Sequence, residues 1–196
     1  MPSEVKPGSP LLRTGPEVHG PEPDEMLMER FIGGDSTAFD ALYARHAGQV
    51  HAYLRRMVGP AAADDLTQTT FLSVVRSRGR FRPGARFRSW LYAIASNAAR
   101  DLARRARFEQ PTAGGELPDQ PVEPGLPDPA LERTVRAALA RLPHAQREAI
   151  VLHRFEGLSF AEIADVLGLT ESAVKVRAHR GYVQLRVLLG HLGEGT

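Results

Sequence analysis

Residues 159–185 leave few folds open. Ser159-Phe160-Ala161-Glu162 has the S-x-x-E pattern, in which the serine caps a helix start and the glutamate reaches back to the serine N–H. Phe160, Ile163, Ala164 and Leu167 follow at i, i+3, i+4 and i+7, so one stripe of this helix is apolar. Gly168 supplies a sharp turn, since glycine tolerates positive φ. Thr170 caps a further helix, with Glu171 in its first turn. In that last helix Val174, Ala178, Tyr182 and Leu185 form the inward row. Ser172, Lys175, Val176, His179 and Arg180, at spacings of 3, 4, 7 and 8, form the outward one. Two helices meeting at a tight turn, the second carrying small and cationic side chains near its start, match the way a recognition helix enters the major groove. The segment Leu142 to Leu189 therefore predicts a helix-turn-helix domain that binds DNA. His179 taken singly suits an ordinary surface as well as a base edge. Arg177 and Arg186 suit phosphates or acids of the domain rather than bases.

The rest of the chain keeps helical spacing and shows no convincing strand alternation, so the fold class is all-α, with two small helical domains joined by a flexible linker. Asp24 is expected to cap a helix holding Met26, Leu27, Phe31 and Ile32, which Gly33-Gly34 breaks. Asp35 or Ser36 caps the next, with Phe39, Leu42, Tyr43, His46, Val50, Tyr53 and Leu54 at helical spacing, and Gly59-Pro60 ends it. Further helices are predicted over about 61–78 and 88–107, separated by a basic loop at 79–84, then over 131–142 and from Pro143 to Gly157. Residues 1–23, rich in proline and glycine, read as a disordered tail. Residues 108–130 contain six prolines and three glycines and no apolar period, which marks a linker between domains at 24–107 and 131–192. Fully extended, it spans roughly 75 Å, about two turns of B-DNA at ~34–36 Å each.

A net charge of +2 conceals strong segregation. From Arg76 to Arg107 there are ten arginines and one acid, Asp101, whereas Glu109 to Glu132 contains six acids and no Lys or Arg. Of the 25 basic residues 23 are arginine, which suits phosphate and base recognition and equally a GC-rich genome. Between Phe81 and Tyr92, arginines alternate with aromatics: Arg82, Arg86 and Arg88 among Phe81, Phe87, Trp90 and Tyr92, with Ser89 between. Single-stranded DNA is held by such combinations, cations along the backbone and π-faces for unstacked bases. Trp90 and Phe87 suit a core equally. Asn97, a polar position in an apolar helix, is placed to bond a base edge or a backbone group. Asp64 and Asp65 stand in the first turn of their helix, where its dipole favours acids. Asp65 and Gln68 share a face that suits a basic partner.

Several classes are excluded or disfavoured. The chain has no cysteine, so disulfides, thiolate zinc sites and cysteine nucleophiles are absent, in keeping with a reducing cytoplasm. No apolar run approaches the ~20 residues of a membrane span. No P-loop, H-E-x-x-H or G-x-S-x-G is present, and His46 and His51 are poorly spaced for a shared helical metal site. No catalytic residue, metal or cofactor is expected.

The order of an acid-rich helix, then F-R-x-G-x-x-F-R-S-W-L-Y-x-I-A-x-N, a linker, L-P-x-x-x-R-x-A-I-V-L, E-G-L-S-F-A-E-I-A and A-V-K-V-R-A-H-R resembles a bacterial extracytoplasmic-function (ECF) sigma factor. The resemblance covers about residues 24–190 apart from the linker. It implies two all-α domains, the first binding RNA polymerase and melting the minus-ten element, the second reading the minus-35 element as duplex. It places polymerase contacts on Asp64, Asp65, Leu66, Gln68 and Phe71. Minus-ten contacts fall on Arg82, Arg86, Phe87, Arg88, Ser89, Trp90 and Asn97, and minus-35 contacts on Ser172, Lys175, Val176, His179 and Arg180. The chain departs from the family at Thr69, where an acid is common, and at Ala173, where threonine is common. The resemblance implies a cytoplasmic promoter-specificity factor, with core RNA polymerase, promoter DNA (duplex and melted) and an anti-sigma factor as partners. The alternative, a dimeric helix-turn-helix regulator on palindromic duplex DNA, gives no reason for the segment from Arg82 to Trp90.

Overall fold

Proline-fixed geometry starts the first helix. The computed structural model describes residues 22–109 and 129–193, so residues 1–21 of the expected tail and 110–128 of the expected linker lie outside the described residues. Pro23 (φ −58°, ψ 146°) is the N-cap of α1 (Asp24–Ile32), correcting the expectation of a cap at Asp24. Asp24 is the first helical residue, and its carboxylate bonds Arg45 and the Nε2 of His46, the latter at 2.7 Å. This pins the start of α1 across α2 (Ser36–Val58). Asp35 is the N-cap of α2 and accepts the Thr37 N–H at 3.0 Å. Gly59, with φ of 86°, lets the chain reverse into α3 (Pro60–Ser77), whose first residue is a proline that has no N–H to leave unpaired. A 3-10 turn at Arg78–Arg80 and the basic loop lead to α4 (Phe87–Glu109). α2 packs on α1, α3 and α4, and Leu42, Tyr53, Leu54, Phe71, Phe87 and Leu91 fill the space between them.

The second domain follows with α5 (Pro129–Ala140), α6 (His144–Arg154), α7 (Phe160–Leu167) and α8 (Glu171–Gly193). Leu139, Leu142, Ile150, Leu152, Ile163 and Val174 are its core. Each domain is all-helical among the described residues. The helix-turn-helix forms as its local chemistry dictates. Ser159 accepts the Glu162 N–H while Glu162 accepts the Ser159 N–H and hydroxyl, a complete capping box. Gly168 (φ 65°, ψ 42°) ends α7 in the left-handed region.

The inward row of α8 differs from the expected one at a single step. Tyr182 is 38% exposed, and the buried position is Gly181. A Cβ at Gly181 would meet Ile150 Cδ1 at 2.6 Å and Gln146 Cβ at 3.3 Å. The missing side chain is what allows α8 to lie close on α6. Gly181→Leu should destabilise the chain by about 1–3 kcal/mol through overpacking, read as a lower urea midpoint at unchanged m-value; an unchanged midpoint would show that the α6–α8 contact adjusts freely.

Candidate nucleic-acid interface

On α8 the five outward residues all reach solvent. Ser172, Lys175, Val176, His179 and Arg180 are exposed, while Val174 and Ala178 are buried. The Thr170 hydroxyl caps the helix by accepting the Ala173 N–H at 3.2 Å. Lys175 bonds Glu171 one turn back at 2.7 Å and lies 6.0 Å from the Phe160 ring. Val176, 49% exposed, is an apolar side chain on a polar helix face, a pairing that fits the methyl group of thymine in the major groove.

The basic loop divides into a frame and a surface. Phe81 and Phe87 are buried, with ring centroids 6.4 Å apart, and the Phe87 ring lies 5.3 Å from His46. Burial lowers the pKa of His46 against the opposing pull of Asp24. The Phe87 N–H donates to the Glu25 carboxylate at 3.0 Å. Phe87 therefore supports the loop from beneath and has no surface with which to touch DNA. Trp90 is half-buried, edge-on to Phe81 at 5.3 Å. Arg82 and Arg86 are exposed, and Arg88 and Ser89 are half-buried. Asn97 is exposed seven residues beyond Trp90, hence on the same side of α4.

The acidic face of α3 is separate, and it begins one turn later than expected: α3 starts at Pro60, so Asp64 and Asp65 lie in its second turn rather than its first. Asp64, Asp65 and Gln68 are exposed, as is Thr69, and Leu66 is half-buried. Phe71 is buried with its ring 4.7 Å from Tyr43, so it props the face rather than forming it. His51 pairs with Asp64 at 2.9 Å. Leu72, 53% exposed and one turn beyond Gln68, belongs to this face and was not foreseen. Its signal was the i+4 spacing from Gln68.

Comparison with known proteins gives this arrangement its family. Two family models match: Sigma-70 region 2 over residues 42–109 and Sigma-70, region 4 over residues 132–185. The RNA polymerase sigma factor CarQ of Myxococcus xanthus is 49% identical over 168 residues, 84% of this chain and 97% of CarQ. The ECF RNA polymerase sigma factor SigM of Mycobacterium tuberculosis is 40% identical over 178 residues, 88% of each chain. This chain belongs to the ECF sigma factors. Among solved structures, CnrH in complex with the cytosolic domain of CnrY superposes with a TM-score of 0.68 at 32% identity, covering 86% of this chain and 97% of CnrH. The sigma factor RpoE of Bartonella quintana, solved with the anti-sigma factor NepR, shares the fold with a TM-score of 0.69 at 24% identity, covering 78% and 96%. As a sigma factor the chain directs core RNA polymerase to promoters and initiates transcription. The dimeric regulator is not favoured.

In this sigma factor the two domains touch, which the sequence did not announce. α4 packs on α7, and α2 packs on α5 and α6. Two buried carboxylates of the second domain face the first. Glu156 accepts the Tyr92 hydroxyl, and Arg56 stands 3.8 Å from it; Arg88 donates to the Glu156 backbone carbonyl at 2.6 Å. Arg100 reaches Glu148 at 3.3 Å. Burial raises the pKa of both acids, with the arginines pulling the other way. Burial, with Glu156 alongside, drives the Tyr92 hydroxyl far above its ordinary value, so it keeps its proton and donates it to Glu156. At the rim Arg86 bonds Glu162, whose carboxyl the Ser159 hydroxyl and N–H, with Arg86, hold down at about 2. Among the described residues no helix is long and apolar enough to cross a membrane, and no cluster of three or more His, Asp or Glu is arranged to hold a metal ion.

Proposed function

We propose that this sigma factor grips a promoter at two places and polymerase at a third, with the residues divided as follows. The outward face of α8 (Ser172, Lys175, Val176, His179 and Arg180) reads the minus-35 element in the major groove. Arg82, Arg86 and Arg88 follow the backbone of the melted minus-ten strand, with Ser89, Trp90 and Asn97 toward its bases. Asp64, Asp65, Gln68 and Leu72 dock on a basic surface of polymerase. The observation that carries this reading is the split of α8: five outward residues exposed beside buried Val174, Ala178 and Gly181. Melting follows from capture of unstacked bases, which offsets the few kcal/mol of unpairing, and the chain makes or breaks no covalent bond. It acts in the cytoplasm, as two helical domains joined by a linker between the end of α4 at Glu109 and the start of α5 at Pro129. An anti-sigma factor is its protein inhibitor, a role supported by CnrH, which is solved with the cytosolic domain of CnrY.

In vitro transcription tests this. Core polymerase with the chain should initiate at cognate promoters, and Asp65→Arg should lower core binding by at least about tenfold, since reversing one charge at a desolvated contact costs several kcal/mol. Failure of the wild-type chain to bind core polymerase would end the reading. An unaffected Asp65→Arg would end only the assignment of the α3 face.

A further inference from the structure

One helix holds the basic loop of the first domain at both ends. Arg78, the first residue of the 3-10 turn, has its guanidinium 5.5 Å from the ring of Phe31, near the end of α1. Phe87, the first residue of α4, donates its N–H at 3.0 Å to the carboxylate of Glu25, near the start of α1. Glu25 and Phe31 are six residues apart, about 9 Å along a helix axis. The nine-residue path from Arg78 to Phe87 can extend to roughly 30 Å. α1 thus sets a short span for a segment able to take a long one. It is itself fixed: Leu27 and Met28 are buried, and Asp24 bonds Arg45 and His46 on α2.

The bond at Phe87 supplies what the loop lacks. Trp90 donates its N–H to the Arg86 carbonyl at 3.1 Å, the first bond of α4, so Arg86 stands at the N-cap. An arginine side chain has only donors. It cannot accept from the open N–H groups of the first turn, as Asp35 does for α2 and Ser159 for α7. Glu25 does so from 62 residues away, and its charge suits the positive end of the helix. The turn that it holds carries Arg88, Ser89 and Trp90.

We propose that Glu25 is a positioning residue for the minus-ten grip: from α1 it caps α4 and, with Phe31 at the other end of the loop, presents Arg82, Arg86, Arg88, Ser89 and Trp90 to the melted strand in a set geometry. A loop already ordered when the strand arrives loses no freedom on binding, which raises affinity. Glu25 acts through the loop and not by touching DNA. Its charge works in the opposite direction: an acid beside a phosphate-binding surface repels the strand, so losing the charge alone would strengthen binding. The two effects therefore differ in sign. The inference rests on the minus-ten assignment above.

The test compares Glu25→Ala with Glu25→Gln in the full chain, since glutamine keeps an acceptor and removes the charge. Anisotropy of holoenzyme with a fluorescent minus-ten single strand should show affinity lowered about fivefold by Glu25→Ala, the usual effect of losing a helix cap, and held or raised by Glu25→Gln. Affinity for core polymerase and for a minus-35 duplex should be unchanged in both. Amide hydrogen exchange of the free chain, read by NMR, should be faster at Phe87 in Glu25→Ala and slow in Glu25→Gln, which reports the cap directly. Wild-type strand affinity in Glu25→Ala, or a gain in both variants, would overturn the positioning role and leave the minus-ten reading standing. Equal losses in both variants with Phe87 still protected in Glu25→Gln would do the same, because the carboxylate would then act by its charge. A parallel loss of core affinity in Glu25→Ala would make Glu25 a plain stabiliser of its domain and also overturn the role. A strand that wild-type holoenzyme does not bind would overturn the minus-ten reading, and the positioning role with it.

Discussion

Lys175→Ala/Arg180→Ala is expected to lower transcription from a cognate promoter by about 30-fold or more and to leave the affinity for core polymerase unchanged. Both side chains stand on the outward face of α8, five residues apart and exposed. A good base contact in the major groove discriminates by about 1–3 kcal/mol, so two lost contacts give at least ~2 kcal/mol, or about 30-fold. Stability should stay within about 0.5 kcal/mol, as for other surface substitutions. Among the described residues, the ion pair removed is Lys175–Glu171, an exposed i,i+4 pair on the same helix, of a kind that contributes a few tenths of a kcal/mol. Footprinting of holoenzyme on promoter DNA separates the roles. A residue that reads a base relaxes preference at one position, whereas one on a phosphate weakens all sequences alike and lowers the salt slope by about one. Unchanged upstream protection in the double variant would remove α8 from promoter recognition.

What the sequence disclosed follows from the range of each interaction. The capping box at Ser159 and Glu162, the Gly168 turn and the exposed face of α8 are set by residues three to eight apart, and they stand as expected. Asp24 was misplaced by one step: an acid before an apolar run looks like a cap, but Pro23 already holds the extended geometry there and frees Asp24 for His46, 22 residues away. Tyr182 and Gly181 compete for one stripe on a helical wheel, and the choice is made by how near Ile150 comes, which no local pattern contains. Trp90 and Phe87 looked alike, each suited to a core or to a base; the structure leaves Trp90 half-buried and Phe87 wholly enclosed. Glu148 and Glu156 were least legible. Their side-chain hydrogen-bond partners are Arg100 and Tyr92, 48 and 64 residues away in another domain. An acid of that kind cannot be told from a surface acid until the domains are seen together.

Phe87→Ala should be the most destabilising single substitution in the first domain, at about 3–5 kcal/mol. The side chain is fully enclosed, with His46, Phe81 and Trp90 around its ring, and it opens α4 at the point where the basic loop ends. Truncation removes the floor under Arg82, Arg86 and Trp90 and leaves a cavity beside His46, whose partner Asp24 ties α1 to α2. Domains of this size have only about 5–15 kcal/mol of total stability, so the loss should appear as a large fall in the urea midpoint. Minus-ten DNA binding by holoenzyme should fall with it. Phe87→Leu refills most of the volume and should cost less than about 1.5–2 kcal/mol, with most DNA binding retained. The pair of variants separates support from contact. A ring that touched bases would lose DNA affinity in both variants at nearly constant stability, because leucine offers no stacking face. A ring that holds the loop loses affinity only in proportion to stability, and that proportionality is the result expected from its burial.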